Sequence, residues 1–159
     1  MEKKQKQANA VYDVLCTALD DLGWKYDAFP KDCKIGCSVR GEHLTMELVV
    51  KADAEKQTLI LLSTLPVNVP PDKRKNMAYA AVCANFELAD GCFDFDERSG
   101  KLTFRMTSRF ASSQFGAGVP EYMLNVSCVT IDSFYERFAT ISTAFFSAAQ
   151  IRARMKSNV

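Results

Sequence analysis

Apolar positions near the start of the chain recur every three or four residues, which is the spacing of one face of an α-helix. A glycine at position 23 follows the last of them and is typical of a helix end. The pattern therefore predicts an amphipathic helix over residues 4–22. Its apolar face consists of Val11, Val14, Leu15, Ala18, Leu19 and Leu22.

The next part of the chain changes to the alternating pattern of β-strands. Four strands are predicted, over residues 24–29, 33–40, 44–51 and 58–65, with a hairpin turn at Arg40-Gly41-Glu42 between the second and the third. The fourth run is apolar at both parities, so we expect both faces of that strand to be covered. Together the four runs predict an antiparallel meander.

A second helix and a hairpin follow the meander. Pro66, Pro70 and Pro71 end the sheet, and a helix rich in alanine is predicted over residues 72–88. A hairpin turning at residues 97–100 then presents a predicted apolar face of Phe93, Phe95, Leu102, Phe104 and Met106. Pro120 opens a last helical stretch. The element order α-β-β-β-β-α-β-β-α predicts an α+β fold with an antiparallel sheet.

The last helical stretch carries large apolar side chains at helical spacing. As one helix, residues 120–156 would extend about 55 Å at 1.5 Å per residue, whereas a globule of this chain length is roughly 40 Å across. We therefore expect a break, with the β-branched Val129-Thr130-Ile131 as the weakest place, or a far end that contacts another surface. The predicted partner or dimer surface consists of Phe134, Phe138, Ile141, Phe145 and Phe146.

Composition narrows the class of protein. The chain has 159 residues, of which 48% are hydrophobic and 25% charged, a balance typical of a single globular domain spanning residues 1–159. A net charge of +1 argues against a strongly basic nucleic-acid binder. The first residues do not resemble a signal peptide, and no apolar run is long enough to cross a bilayer. We therefore expect a cytoplasmic protein with six free thiols that binds neither nucleic acid nor a membrane.

Few residues qualify as catalytic or metal-binding groups. His43 is the only histidine, which excludes multi-histidine metal sites, and it stands without an evident partner at a predicted hairpin turn. Cys33 and Cys37 would lie about 13 Å apart on one strand face, too far for one ion or a disulfide. No cysteine is accompanied by the glycine turn of a nucleophile. We therefore expect no catalytic residue, metal site or cofactor.

Two further groups have a structural explanation. Asp94 and Asp96 share a predicted strand face and could hold a cation or act as acid and base. We expect a solvated outer face instead, with Arg105 on the facing strand neutralising an aspartate. The loop at Gly116-Ala117-Gly118 lacks the Lys-Ser/Thr of a phosphate loop, so it is predicted to be a connector.

Three segments in the middle of the chain carry a resemblance to a known family. Ala84-Asn85-Phe86-Glu87-Leu88, Gly91-Cys92-Phe93-Asp94-Phe95-Asp96 and Gly100-Lys101-Leu102-Thr103-Phe104-Arg105 resemble the YbjN-like family, also called bacterial sensory transduction regulators. The resemblance covers roughly residues 8–148. It implies a fold similar to type III secretion chaperones: a curved antiparallel sheet with helices packed on it, commonly dimeric. It implies no established catalytic residues, and it does not explain the basic end at Arg152, Arg154 and Lys156.

The sequence thus favours a non-enzymatic, chaperone-like module that binds a protein or peptide partner, acts as a bacterial regulator and forms a homodimer. A small-ligand sensor with a pocket between the sheet and a helix is the alternative. An enzyme that uses a cysteine or the aspartate pair is the third hypothesis.

Overall fold

The computed structural model describes residues 2–111 and 115–156. Its four helices are α1 (Glu2–Asp21), α2 (Arg74–Glu87), α3 (Gly118–Thr143) and α4 (Ala148–Met155). Its strands are β1 (Asp27–Phe29), β2 (Lys34–Arg40), β3 (Thr45–Asp53), β4 (Thr58–Thr64), β5 (Cys92–Asp96) and β6 (Lys101–Arg109). The predicted α+β element order is confirmed, with α4 added at the end.

The six strands form one antiparallel sheet in the order β1-β2-β3-β4-β6-β5. The first four strands are the predicted meander. The chain then passes through α2 to β5 at the far edge, and the β5–β6 hairpin places β6 beside β4. The sheet therefore has two edges of different origin, the short β1 with β2 on one side and β5 on the other.

Helices cover one face of the sheet. In β3 the buried Met46, Leu48 and Val50 alternate with exposed neighbours that face solvent. The prediction that β4 is covered on both faces is wrong: Leu61 is buried, but Leu62 is 38% exposed. The reason is that no described helix packs on the outer face of the sheet. The alternate residues of β4 that point to this face, Leu62 among them, therefore contact water.

A cluster of four phenylalanines joins the β5–β6 hairpin to α3. The ring of Phe93 lies 5.1 Å from that of Phe104, 5.5 Å from that of Phe134 and 4.8 Å from that of Phe138, as centroid distances. Gly91, with φ of +74°, precedes this strand, and a Cβ there would overlap the ring of Phe104. Glycine at this position therefore permits both the turn and the close packing of the cluster.

The first strand is shorter than predicted. The N–H of Trp24 donates to Leu19 O at 2.9 Å and that of Gly23 to Asp20 O at 3.0 Å, with Gly23 at φ +69°. These bonds form a glycine C-cap on α1. The N–H groups of Gly23 and Trp24 therefore bind carbonyls of the helix and are not free to pair with a strand. Only Asp27–Phe29 remains for the strand, and all three residues are exposed.

The last helix breaks, but not where the sequence predicts. α3 runs without interruption through Val129-Thr130-Ile131 because Ile131 is fully buried, and packing there outweighs the low helix propensity. The chain leaves the helix after Thr143. Ser147 then begins α4 with a capping box, in which its hydroxyl accepts from Gln150 N and its own N–H donates to the Gln150 side chain. α4 folds back onto α2, so the last helical stretch consists of two packed helices and not one long one.

Candidate functional site

β2 extends beyond its neighbour at one edge of the sheet. β1 pairs only with residues 34–36, whereas β2 continues to Arg40. Gly41 donates its N–H to Leu44 O at 2.8 Å, and because hydrogen-bond direction alternates along a strand, the backbone groups of Ser38 and Arg40 point away from β3. Within residues 2–111 and 115–156, no strand pairs with this outer side of Ser38 and Arg40. We call these two positions the open edge.

A shallow hollow of about 460 Å³ lies beside the open edge. Its lining includes Tyr26, Phe29, Gly36, Glu47 and Val49. Phe29 and Val49 are 44% and 42% exposed, and no heavy atom lies within 4 Å of the place that a Cβ of Gly36 would occupy. The hollow thus offers apolar contacts, room above a glycine, two carboxylates (Asp27 and Glu47) and the ammonium group of Lys25 next to unpaired backbone.

At the opposite edge of the sheet, which we call the closed edge, a side chain covers the outward backbone groups of one residue. The N–H of Phe93 in β5 donates to Asn85 Oδ1 at 2.7 Å, and Asn85 Nδ2 donates to the Phe93 carbonyl at 3.0 Å. The amide of Asn85, at the end of α2, therefore occupies the place that a neighbouring strand would take. Asn85 belongs to the segment that carries the family resemblance, but only the structure shows what its side chain does.

The structure separates the five residues of the predicted partner or dimer surface. Phe134, Phe138 and Ile141 are at most 3% exposed and lie in this chain's own core, because α3 packs its apolar face on the sheet. They are not accessible to a partner in this conformation, and this part of the prediction is corrected. Phe145 is 70% exposed and Phe146 is half-buried, so partner binding stays a prediction for these two residues.

Two cations lie against these aromatic rings. Lys73 Nζ is 3.3 Å from the centroid of Phe145 and donates to Asp72 Oδ2 at 2.8 Å. The guanidinium of Arg154 lies 4.5 Å from the centroid of Phe146. These contacts hold the link between α3 and α4 against the molecule and give the basic residue Arg154 a structural role.

A stripe of one lysine and three apolar or aromatic residues on α2 was not predicted. Lys75, Tyr79, Val82 and Phe86 succeed one another at spacings of four, three and four residues, opposite the buried Met77-and-alanine face of the helix. Val82 is 66% and Phe86 89% exposed. The spacing of these residues is present in the sequence, but the prediction for this helix was based on the alanine-rich face opposite to them. We call these four residues the α2 stripe.

His43 does have partners, contrary to prediction. Its Nδ1 lies 3.0 Å from Asp132 Oδ2 and its Nε2 lies 3.6 Å from Glu136 Oε2, while its backbone N–H donates to Asp132 Oδ1 at 3.0 Å. The hydrogen bond to Asp132 is the main reason why the pKa of His43 is raised. Partial burial pushes the pKa of Asp132 upward, but hydrogen bonds from His43 and from the backbone of Glu42 and Leu44 together outweigh it and lower that pKa.

This contact ties the β2–β3 hairpin to α3. Gly41 lies so close to Asp132 that a Cβ at position 41 would overlap the carboxylate. His43 and Asp132 are 89 residues apart, and no spacing or motif in the sequence relates them. The sequence therefore contained no signal that could have predicted this cluster.

The two strand aspartates do not act together. Asp94 accepts from Arg105 at 2.6 Å and 3.2 Å, and this ion pair lowers the pKa of Asp94. Asp96 instead accepts from Ser99 Oγ and from the N–H of Arg98 within the hairpin turn. The predicted neutralisation by Arg105 is confirmed, and the separate partners argue against a shared cation or an acid–base pair.

The cysteines are free thiols, as predicted. Burial raises the pKa of Cys37 and that of Cys128 to about 11, so both stay protonated at neutral pH. They are therefore poor nucleophiles. The predicted connector at residues 116–118 leads into α3, while residues 112–114 before it lie outside the described part of the chain.

Another recess lies between α1 and the chain after β6. Its lining includes Val11, Val14, Phe110 and Phe115, and its volume is about 160 Å³. Pockets that enclose small ligands usually measure roughly 300–1,000 Å³. The recess is therefore small for the ligand pocket of the alternative hypothesis. Among the described residues, no helix combines the length and apolarity needed to span a membrane.

Comparison with solved structures shows that the fold is similar to that of a chain in a chaperone–effector complex and to that of YbjN. The predicted YbjN-like, chaperone-like fold is therefore confirmed. The HopA1–SchA chaperone–effector complex matches at TM-score 0.54 and 14% identity over 83% of this chain and 95% of that chain. YbjN from E. coli, a candidate transcription regulator, matches at TM-score 0.56 and 13% identity over 80% and 88% of the two chains.

The ExsC–ExsE complex matches at TM-score 0.56 and 14% identity over 87% of this chain and 98% of that chain. No family model matches the sequence, and a search of curated proteins found no match either. At these identities the likeness concerns the fold, and the function has to be argued from the chain's own surfaces.

Proposed function

We propose that this protein is a non-enzymatic, chaperone-like module of the bacterial cytoplasm that regulates a protein or peptide partner by binding it as an added β-strand. The observation that carries the proposal is the open edge at Ser38 and Arg40, beside the hollow over Gly36. An extended segment laid along β2 would satisfy the outward backbone groups of both residues. Similarity to a chain of the HopA1–SchA chaperone–effector complex and to a chain of the ExsC–ExsE complex supports a protein partner.

Strand addition divides affinity and specificity in a simple way. Main-chain hydrogen bonds supply affinity for any extended segment, and pockets for alternate side chains select the sequence. Here, the exposed Phe29 and Val49 favour an apolar side chain over Gly36, and the carboxylates of Asp27 and Glu47 favour a basic one nearby. We therefore expect a partner segment in which a basic and an apolar residue occur on the same face, two positions apart.

The candidate chemistry supports binding over catalysis. The buried thiols of Cys37 and Cys128 are protonated at neutral pH, His43 is engaged by carboxylates, and Asp94 and Asp96 have separate partners. A small-ligand sensor is supported less. The apolar recess beside α1 is small, and the larger hollow beside α1, of about 450 Å³, is lined by the polar residues Lys3, Lys4, Gln7 and Gln57. Thermal stabilisation by a metabolite in the absence of any peptide would favour the sensor instead.

The test uses peptides selected for binding from a random library displayed on phage. Ser38→Pro removes the outward N–H that a bound strand would use and leaves the ladder to β3 intact, because proline is tolerated at strand edges. Ser38→Ala is the matched control: like Ser38→Pro it removes the hydroxyl, which donates to Glu47 at 2.7 Å, but it keeps the N–H. We expect Ser38→Pro to weaken peptide binding about tenfold or more, the effect of losing roughly 1.4 kcal/mol, and Ser38→Ala to leave it within about twofold.

A second measurement keeps the test independent of folding. N-methylation of the peptide at successive positions should abolish binding only at every second residue, because alternate amides face the receiving strand. Peptides that bind the wild type and Ser38→Pro equally, with no alternation in the N-methyl series, would contradict strand addition at this edge.

We further propose that the protein forms a homodimer through the α2 stripe. Its spacing of four, three and four residues is that of a coiled-coil seam, the pattern that another helix packs against. Two copies of α2 related by a twofold axis would cover Val82 and Phe86 with the same residues of the partner. The highly exposed Phe86 is the strongest support, and Phe145 is the other candidate for a dimer contact.

Sedimentation equilibrium at micromolar concentration tests the dimer. Phe86→Glu should shift the protein to a monomer with an unchanged melting temperature of the monomer fold, because this side chain makes few contacts within its own chain. Val129→Glu is the matched control, as Val129 is a 70% exposed apolar residue on α3. A wild-type protein that stays monomeric at these concentrations would contradict the proposal. A dimer that is broken by Phe145→Glu and not by Phe86→Glu would show that the interface lies at Phe145 instead of the α2 stripe.

A further inference from the structure

Two arginines line one hollow between α3 and α4. Arg137 on α3 and Arg154 on α4 line it together with Glu136 and Thr140, and its volume is about 250 Å³. Arg154 belongs to the basic end at residues 152–156, which neither the family resemblance nor strand addition explains. The fold therefore places a positive charge of this basic end beside a second positive charge from α3.

Aromatic rings hold both guanidinium groups in place. Arg137 Cζ lies 4.8 Å from the ring centroid of Phe134, which is buried in the core, and Arg137 Nη1 donates to Lys156 O at 2.8 Å. Arg154 Cζ lies 4.5 Å from the ring centroid of Phe146. A guanidinium that contacts an aromatic ring keeps N–H groups at its edge that can donate to a ligand. Both arginines are thus positioned before any ligand binds.

These two positive charges lack a carboxylate partner. Within the part of the chain that the structure describes, neither Arg137 nor Arg154 forms an ion pair with a carboxylate. Glu136 lines the hollow as well, but its Oε2 lies 3.6 Å from His43 Nε2, so this carboxylate is turned to the histidine. Like charges that line one hollow repel each other, and an anion bound between them would be attracted by both.

We propose that Arg137 and Arg154 bind a phosphate group, either as free phosphate or as part of a small phosphate ester. Two guanidinium charges match the charge of about −1.5 to −2 that a phosphate monoester carries at pH 7. The planar donor fork of arginine also fits pairs of phosphate oxygens. The hollow is smaller than the roughly 300–1,000 Å³ of pockets for drug-sized ligands, which favours a small anion. This inference does not depend on peptide binding at the open edge.

The experiment is an NMR titration of the full chain, read at the side-chain Nε–H signals of Arg137 and Arg154, at low ionic strength because salt screens exposed charges. We expect inorganic phosphate at millimolar concentrations to move both signals to saturating positions, and acetate at the same ionic strength to leave them in place. Glycerol 3-phosphate, a small phosphate ester, distinguishes the two sources. Tighter binding of the ester would show that its substituent is recognised, whereas equal affinity would show that the phosphate group alone is bound.

Arg154→Gln changes an exposed side chain and should weaken phosphate binding about tenfold or more, because hydrogen bonds to a charged group are lost. Arg137→Lys keeps the charge but loses the planar fork, and should weaken binding as well. Arg152→Gln is the matched control, since it makes the same substitution on the same helix outside the hollow, and it should leave the affinity within about twofold.

Two results would overturn the proposal. The first is the absence of any saturating movement of the Arg137 and Arg154 signals with phosphate. The second is equal weakening of phosphate binding by Arg154→Gln and Arg152→Gln, because the anion would then respond to the net charge of the basic end and not to a site in the hollow.

Discussion

The two edges of this sheet differ in whether a side chain binds the outward backbone groups of the edge strand. At the β5 edge, the strand is fastened to the core by the fully buried ring of Phe93, and Asn85 takes up both backbone groups of that residue. At the other edge, all three residues of β1 are exposed and β2 runs on beyond it to Ser38 and Arg40. At one edge, a side chain of α2 covers the outward backbone groups of Phe93 in the edge strand, while at the other edge no side chain of a described residue covers those of Ser38 and Arg40 in this way.

The difference is informative because an unpaired edge is a liability. Sheet edges invite pairing with other chains, and proteins usually blunt them with charge, proline, short strands or covering side chains. This chain applies a specific cover at one edge and leaves a hollow beside the other. This difference is the reason why we propose the β2 edge, and not the β5 edge, as the place where a partner strand binds.

The largest expected effect is the difference in unfolding free energy between removing an aromatic ring at the β5 edge and removing one at the β1 edge. Phe93→Ala should lower the free energy of unfolding by about 3–5 kcal/mol, because it empties the centre of the aromatic cluster. Phe29→Ala makes the same change at the other edge, where the ring is 44% exposed, and should cost less than about 1 kcal/mol. Urea unfolding measures both, and similar losses would mean that the edges are equally integrated into the fold.

The cover at the closed edge is the next target. Asn85→Ala should lower the free energy of unfolding by about 1–3 kcal/mol, since the backbone groups of Phe93 lose both partners. Asn76→Ala, the same substitution on the same helix, removes one longer bond at 3.3 Å to Phe146 O and should cost less than about 1 kcal/mol. If the two variants unfold at the same urea concentration, Asn85 does not act as the cover that we describe.

The smallest effect concerns the ion pair on the outer face near the closed edge. Because Arg105 lowers the pKa of Asp94 in the folded state, the pair contributes stability above the ordinary aspartate pKa of about 4 and loses it as the pH falls through the lowered pKa. Both side chains are about half exposed, so this contribution should stay below about 1 kcal/mol.

Urea unfolding at several pH values measures this contribution. Asp94→Asn should be less stable than the wild type at pH 7, and the gap should narrow towards pH 3. In an Arg105→Gln background the gap should vanish at both pH values. A gap that widens on acidification would show that Arg105 is not the partner that matters.

Much of the architecture could be predicted because it follows from local patterns. Alternation in β3, the glycine end of α1 and the Phe93–Phe104 hairpin each depend on residues close together in the sequence. The predictions that failed depended on contacts between distant segments. The continuity of α3 is decided by the burial of Ile131, and the exposure of Leu62 by the absence of a helix on the outer face of the sheet.

The candidate site was harder to predict for the same reason. An aromatic stripe at helical spacing is compatible with a core and with a partner surface. Because α3 packs on the sheet, Phe134 and Phe138 are part of the core. The open edge depends on the length of β1 relative to β2, which the cap on α1 shortens. No periodicity in the sequence encodes such a difference in length.

Amide hydrogen exchange with a selected peptide, read at Ser38, Arg40 and Phe93, tests the central claim most directly. In the free protein, the amides of Ser38 and Arg40 should exchange quickly, while Phe93, bonded to Asn85, should be protected. Bound peptide should slow exchange at Ser38 and Arg40 and leave Phe93 unchanged. Protection that appears elsewhere, with Ser38 and Arg40 still exchanging quickly in the complex, would contradict strand addition at this edge.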